Sequence, residues 1–167
     1  NLVATAKVAE LSMAVDNSAD SAKIETFSFT VDGEDLYIAA IGYGNLAITT
    51  LNGSQTFEST TIKHSAIVAK VGASLGTKVF ENVDDDSEKT YNVINGMEVY
   101  AGNLYLAGTF YGTLAFDTNL SVSGNSDIFV TCLKASDLSA TWTATDAKDE
   151  GATNTYYEVA TGMILYK

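Results

Sequence analysis

The chain of 167 residues contains neither proline nor arginine. Without proline there is no stiff linker signal and no slow prolyl step to limit folding. A single cysteine, Cys132, excludes an intrachain disulfide; it sits in the apolar run Ile128–Leu133, where a small buried thiol is expected. A single histidine, His64, has no histidine or second cysteine to join it in a transition-metal site. No apolar run approaches the ~20 residues needed to cross a bilayer as a helix. No signal peptide and no initiator methionine are visible, and Asn1 stands directly before Leu2 and Val3, so the start reads as a processed product or an excised piece.

The formal net charge is −12. Such a surface repels phosphate backbones and anionic lipid, which argues against nucleic-acid and membrane partners. Solubility is the plain reading of the charge, and cation binding the sharper one. Apolar residues make up 46% and charged residues 18%, the composition of a globular chain. The length suits one domain that buries about two-thirds of its unfolded surface.

Self-comparison is the most informative test. The run from Asp35 to Ala47 (DLYIAAIGYGNLA) matches Asn103 to Ala115 (NLYLAGTFYGTLA), with Leu36 and Leu104 separated by 68 positions. Ser65–Val71 matches Asp127–Leu133 in its apolar pattern, but now 62 positions separate Val71 from Leu133. The lost residues lie where Leu51–His64 is longer than its counterpart near Asn119–Ser126, and loops absorb such changes. Broken copies stand at both ends. Ala6-Lys7-Val8 repeats as Ala69-Lys70-Val71, and Gly162-Met163 repeats Gly96-Met97. The expected organisation is the last strand of one unit (1–23), two whole units (24–88 and 89–150) and the first strand of another (151–167).

Each unit reads as about four short strands. In the third copy these are Tyr91–Ala101, Leu104–Thr109, Thr113–Asp117 with Leu120–Val122, and Asp127–Leu133 running on to Ala140–Thr145. Apolar and polar residues alternate, and β-branched and aromatic residues are abundant. Asp32-Gly33, Asn52-Gly53, Asn95-Gly96, Gly102-Asn103 and Gly124-Asn125 supply hairpin-turn chemistry. Ala66–Gly76 is rich in alanine, yet its apolar spacing is closer to two than to 3.6, so it too reads as strand. The expected fold is all-β, in tandem four-stranded antiparallel units. A four-stranded unit cannot bury both of its faces alone, and radial stacking of such sheets gives a β-propeller. A β-sandwich or barrel is the alternative.

The stretch Gly108-Thr109-Phe110-Tyr111-Gly112-Thr113-Leu114-Ala115-Phe116, followed by Ser126-Asp127-Ile128-Phe129-Val130-Thr131-Cys132-Leu133, resembles the repeat of bacterial exported-type β-propellers (SBBP-like repeats). The resemblance spans both full units. In the second unit Ala40 replaces the first glycine and Ala66 stands where the aspartate would be. It implies a propeller module of an extracellular, cell-surface or periplasmic protein.

Three features compete for function. Acidic loops recur at Asp16–Asp20, Asp84–Glu88 and Asp146–Glu150. Asp84, Asp85, Asp86 and Glu88 offer the oxygens that calcium takes, although no EF-hand spacing is present; the plain alternative is a solvated loop that keeps strand edges from pairing. Tyr43 and Tyr111 recur at one position of the repeat beside a glycine, as a surface for stacking on sugar rings. Tyr37, Tyr91, Tyr100, Tyr105, Tyr156, Tyr157 and Trp142 add further aromatic area, and packing between units is their plain reading. No nucleophile–base pair, phosphate-cradling loop or zinc-protease motif occurs. The expectation is a non-catalytic module that presents loops to a protein or glycan partner, or to the rest of a longer propeller. The alternatives are a glycan-active enzyme using carboxylates, and a structural or adhesive array.

Overall fold

A computed structural model describes residues 9–13, 23–43, 45–50, 53–58, 65–72, 75–82, 92–115, 119–121, 126–145 and 159–166. Every regular element among them is a strand, so the fold class is all-β. The strands are β1 (Ala9–Met13), β2 (Lys23–Asp32), β3 (Asp35–Tyr43), β4 (Asn45–Thr50), β5 (Gly53–Glu58), β6 (Ser65–Val71), β7 (Leu75–Asn82), β8 (Val93–Tyr100), β9 (Asn103–Phe110), β10 (Thr113–Ala115), β11 (Asn119–Ser121), β12 (Asp127–Lys134) and β13 (Ala140–Thr145).

Two antiparallel sheets share one order of strands. The first runs β2-β3-β6-β7, the second β8-β9-β12-β13, and in each a hairpin interrupts the chain between the second and third members. Over their central residues the ladders follow the sequence offsets, and they depart from them at the irregularities after Ile24, Ile94 and Cys132. Leu36 lies between Val31 and Val71, and Leu104 lies between Val99 and Leu133. Tyr37 and Gly76 pair with Lys70, whereas Tyr105 and Trp142 pair with Cys132.

The inserted hairpins do not join the sheet of their own copy. The pair β10-β11 was expected as a strand of the third copy; instead β10 pairs with β7 of the first sheet and extends it to six strands. Likewise β4 pairs with β1, in a separate three-stranded sheet with β5. The length difference seen in the sequence is the longer β4-β5 ladder against the short β10-β11 ladder.

Turn chemistry explains the β8-β9 and β2-β3 hairpins. Ala101 and Gly102 sit at φ 50° and 75°, the signature of a two-residue turn that follows the strand twist. Gly33, at φ 61°, opens the β2-β3 turn. Asn95-Gly96, in contrast, makes no hairpin. Ile94 pairs with Gly108 and Gly96 with Ala107, so Asn95 is the extra residue of a bulge within β8.

The core lies between the two sheets. Strand alternation puts Tyr37 and Ala39 on one side of β3, with Ala66 and Val68 of β6 beside them. Against these pack Leu104, Leu106 and Phe110 of β9 and Phe129 and Leu133 of β12, all five with no measurable exposure. Phe129 is stacked on Phe80 at 5.9 Å and meets Phe110 edge-on at 6.2 Å. Gly108 makes this possible: a Cβ there would strike the Val93 carbonyl and come within 2.5 Å of the Phe129 ring. Because Leu36 is the ladder twin of Leu104 yet points away from the core, the sheets stack front to back. The first sheet offers the Tyr37 side; the second offers the side opposite Tyr105.

Candidate functional site

A polar clamp joins the sheets at one end. The Tyr37 hydroxyl, on a residue 1% exposed, donates to the Ala135 carbonyl at 3.0 Å. Lys70 Nζ pairs with Asp35 at 3.0 Å, donates to the Ser136 carbonyl at 3.4 Å and lies 6.0 Å from the Tyr37 ring centre. Burial pushes the Tyr37 phenol above its ordinary range, and the bond to Asp35 holds the Lys70 ammonium above its own. Gly72 leaves room for Asp35, whose carboxylate fills the space where a Cβ would stand.

The receiving connection, Ala135–Ser139, is tightly built. Ala135 N–H donates to the Gly102 carbonyl and Lys134 N–H to that of Ser139. Asp137 accepts from the Ser139 N–H at 2.9 Å and from its hydroxyl at 2.6 Å, which holds the carboxyl below its usual range. Leu138 sits at φ 59° with its side chain buried. A left-handed leucine costs about 1–2 kcal/mol. Its side chain packs beside Gly76, with Cδ1 3.9 Å from where a Gly76 Cβ would be.

Beyond the core, both sheets have a second side. On the first sheet Phe29 and Val31 of β2 are 65% and 59% exposed, next to half-buried Leu36 and Ile38. On the second sheet Tyr105 and Trp142 have ring centres 6.4 Å apart, with Trp142 and Tyr100 each 45% exposed. The segment 159–166 covers part of this side. Asn95 Nδ2 donates to the Ala160 carbonyl at 2.6 Å, Ala160 N–H donates to Thr109 Oγ1 at 3.0 Å, and Gly96 lies against the backbone of Met163. The segment thus touches β8 and β9, as β8 touches β2 and β3.

The residues singled out in the sequence fare differently. Tyr43 ends β3; Tyr111 follows β9, is half-buried and is engaged with neighbours. Asp84, Asp85, Asp86 and Glu88 lie outside the described residues, as do His64, Tyr91, Tyr156, Tyr157, the copy Ala6-Lys7-Val8 and the other acidic loops. Among the described residues no group of acidic, histidine or cysteine side chains is arranged to hold a metal ion. Cys132 is buried, and Tyr37 packs between the sheets. The sequence reading missed the Asp35–Lys70–Tyr37 clamp and the bare strip Phe29–Val31. Only the fact that Met97 and Val99, their ladder twins, are apolar hinted at the strip.

No protein-family model, curated protein or solved structure matches this chain. No helix of the described residues is long and apolar enough to cross a membrane.

Proposed function

We propose that the chain forms stacked sheets of a β-propeller-type tandem array and serves as a non-catalytic interaction module of an exported or surface protein. One observation carries this: two four-stranded sheets with the same order and the same ladder register lie front to back. Front-to-back stacking leaves a receiving face at one end and a donating face at the other, the geometry of an array that continues. A sandwich built from two like sheets related by a two-fold axis would bring like sides together. The fourth-to-next hairpin contacts, β1 with β4 and β7 with β10, recur along the chain in the same antiparallel sense.

In this arrangement Tyr43 and Tyr111 stand at the same end of the second strand in each sheet and mark one rim. That rim is the proposed contact for a protein or glycan partner, because a tyrosine ring offers an apolar face and a hydroxyl together. Screening the intact chain against glycan and extracellular-protein arrays tests it. The expected result is a bound class of partner whose affinity falls at least tenfold in Tyr111→Ala and in Tyr43→Ala, with the circular dichroism spectrum unchanged. Turnover of a polysaccharide, or retention of every partner by both variants, refutes the proposal.

A further inference from the structure

We propose that this chain binds a second copy of itself head to tail, the Phe29–Val31 side of one copy docking on the Tyr105–Trp142 side of the next. The inference uses the equivalence of the two sheets on which the functional reading rests, and it extends to a partner that reading does not name. Inside the chain, the side of the second sheet bearing Met97, Leu104 and Leu106 is buried against the side of the first sheet bearing Tyr37. The ladder twins of Met97 and Val99 are Phe29 and Val31, which stand bare. The ladder twins of Tyr37 and Gly76 are Tyr105 and Trp142. The described residues therefore carry, on the outer side of each sheet, one half of an interface that the contact between the sheets completes in the interior, with 159–166 over part of the second half.

Side-chain size points to a copy of this same chain. In the internal contact the small Gly76 meets a long connection, whose Leu138 fills the gap. At the outer faces the sizes are exchanged. Trp142 occupies the Gly76 position, and the connection it would meet is the short one, since β6 ends at Val71 and β7 begins at Leu75, whereas β12 ends at Lys134 and β13 begins at Ala140. A bulky ring opposite a short loop keeps the total volume that close packing requires. A face-to-face dimer of Phe29 strips would leave Trp142 uncovered; the head-to-tail arrangement covers both. The segment 159–166 lies where β2 of the incoming copy would sit, so docking moves it aside. That breaks the bonds of Ala160 to Asn95 and Thr109 and uncovers the half-buried Met163 and Leu165, contacts the incoming β2 must replace, whereas Val159, Ile164 and Tyr166 are already exposed.

Sedimentation velocity of the intact chain, from micromolar to submillimolar concentration, is the test. The expected result is concentration-dependent association that strengthens with salt, because copies of net charge −12 repel one another. Emission from the single tryptophan, Trp142, should shift to the blue as copies associate. Phe29→Lys and Trp142→Lys, each with a native dichroism spectrum, should both be monomeric. Their mixture should form a one-to-one dimer, since each variant keeps the face the other has lost. A wild-type chain monomeric throughout overturns the proposal. So does association that survives Trp142→Lys, or a mixture of the two variants that stays monomeric. Partner binding read at Tyr111 is a separate measurement, so either proposal can fail alone.

Discussion

Replacing Tyr37 with phenylalanine tests the clamp between the sheets by removing one oxygen atom. The ring is 1% exposed and its packing is retained. What is lost is the 3.0 Å bond to the Ala135 carbonyl, on a residue itself only 6% exposed. A net hydrogen bond contributes about 0.5–1.5 kcal/mol, and an orphaned buried acceptor costs about 1–3 kcal/mol. A loss of roughly 1–2 kcal/mol is expected, which for a chain of this size lowers Tm by about 2–8 °C at 2–4 °C per kcal/mol. Urea and thermal unfolding followed by dichroism measure it. The pH dependence adds a second constraint. The Tyr37 phenol is raised above 10.0 by burial, and the Lys70 ammonium above 10.5 by Asp35. Both pKa values are higher in the fold than in the unfolded chain. The stability they confer is therefore complete below about pH 10 and is lost as pH rises through the folded values. Wild type should weaken above pH 10, and the gap to Tyr37→Phe should narrow there. A variant as stable as wild type at neutral pH, or a gap that stays constant above pH 10, refutes the reasoning.

Gly108→Ala should destabilise the chain by about 1–3 kcal/mol, because the new methyl meets the Val93 carbonyl and the Phe129 ring; the urea midpoint reports it. Gly72→Ala should displace the Asp35 carboxylate and release Lys70. The pair is partly exposed, so the cost should be no more than about 1 kcal/mol and should match that of Asp35→Asn in a double-mutant cycle. Cys132 is 2% exposed and should react with a thiol reagent only as fast as the native state opens, so its labelling rate should rise with urea in step with unfolding.

Much of the architecture is legible along the chain. The alternation of β9 reads directly as one apolar side, Leu104, Leu106 and Phe110, and the offset linking Leu36 with Leu104 is the offset of their ladders. These are consequences of a two-residue side-chain period. Two features were not legible for the same reason. A hairpin such as Thr113–Ala115 with Asn119–Ser121 has the same local pattern whichever sheet edge it joins, and the edge it joins is β7. Asn95-Gly96 has turn composition, but the register of β8 on β9 uses it as a bulge whose amide holds Ala160. The candidate sites were legible only as a list of residue types. Nothing local distinguishes Tyr37 from Tyr105, which share the sequence Leu-Tyr and the same ladder position, yet one is sealed and the other half-exposed.

By itself, then, the sequence determined the all-β class and the turns at Gly33 and Gly102, because periodicity and positive-φ residues act over a few neighbours. The tertiary structure alone decided which side of each sheet is covered, why Gly108 and Gly72 must be small, and where Phe29, Val31 and Trp142 are left bare. Burial is a property of what lies opposite, and what lies opposite is set by the stacking of one sheet upon the other.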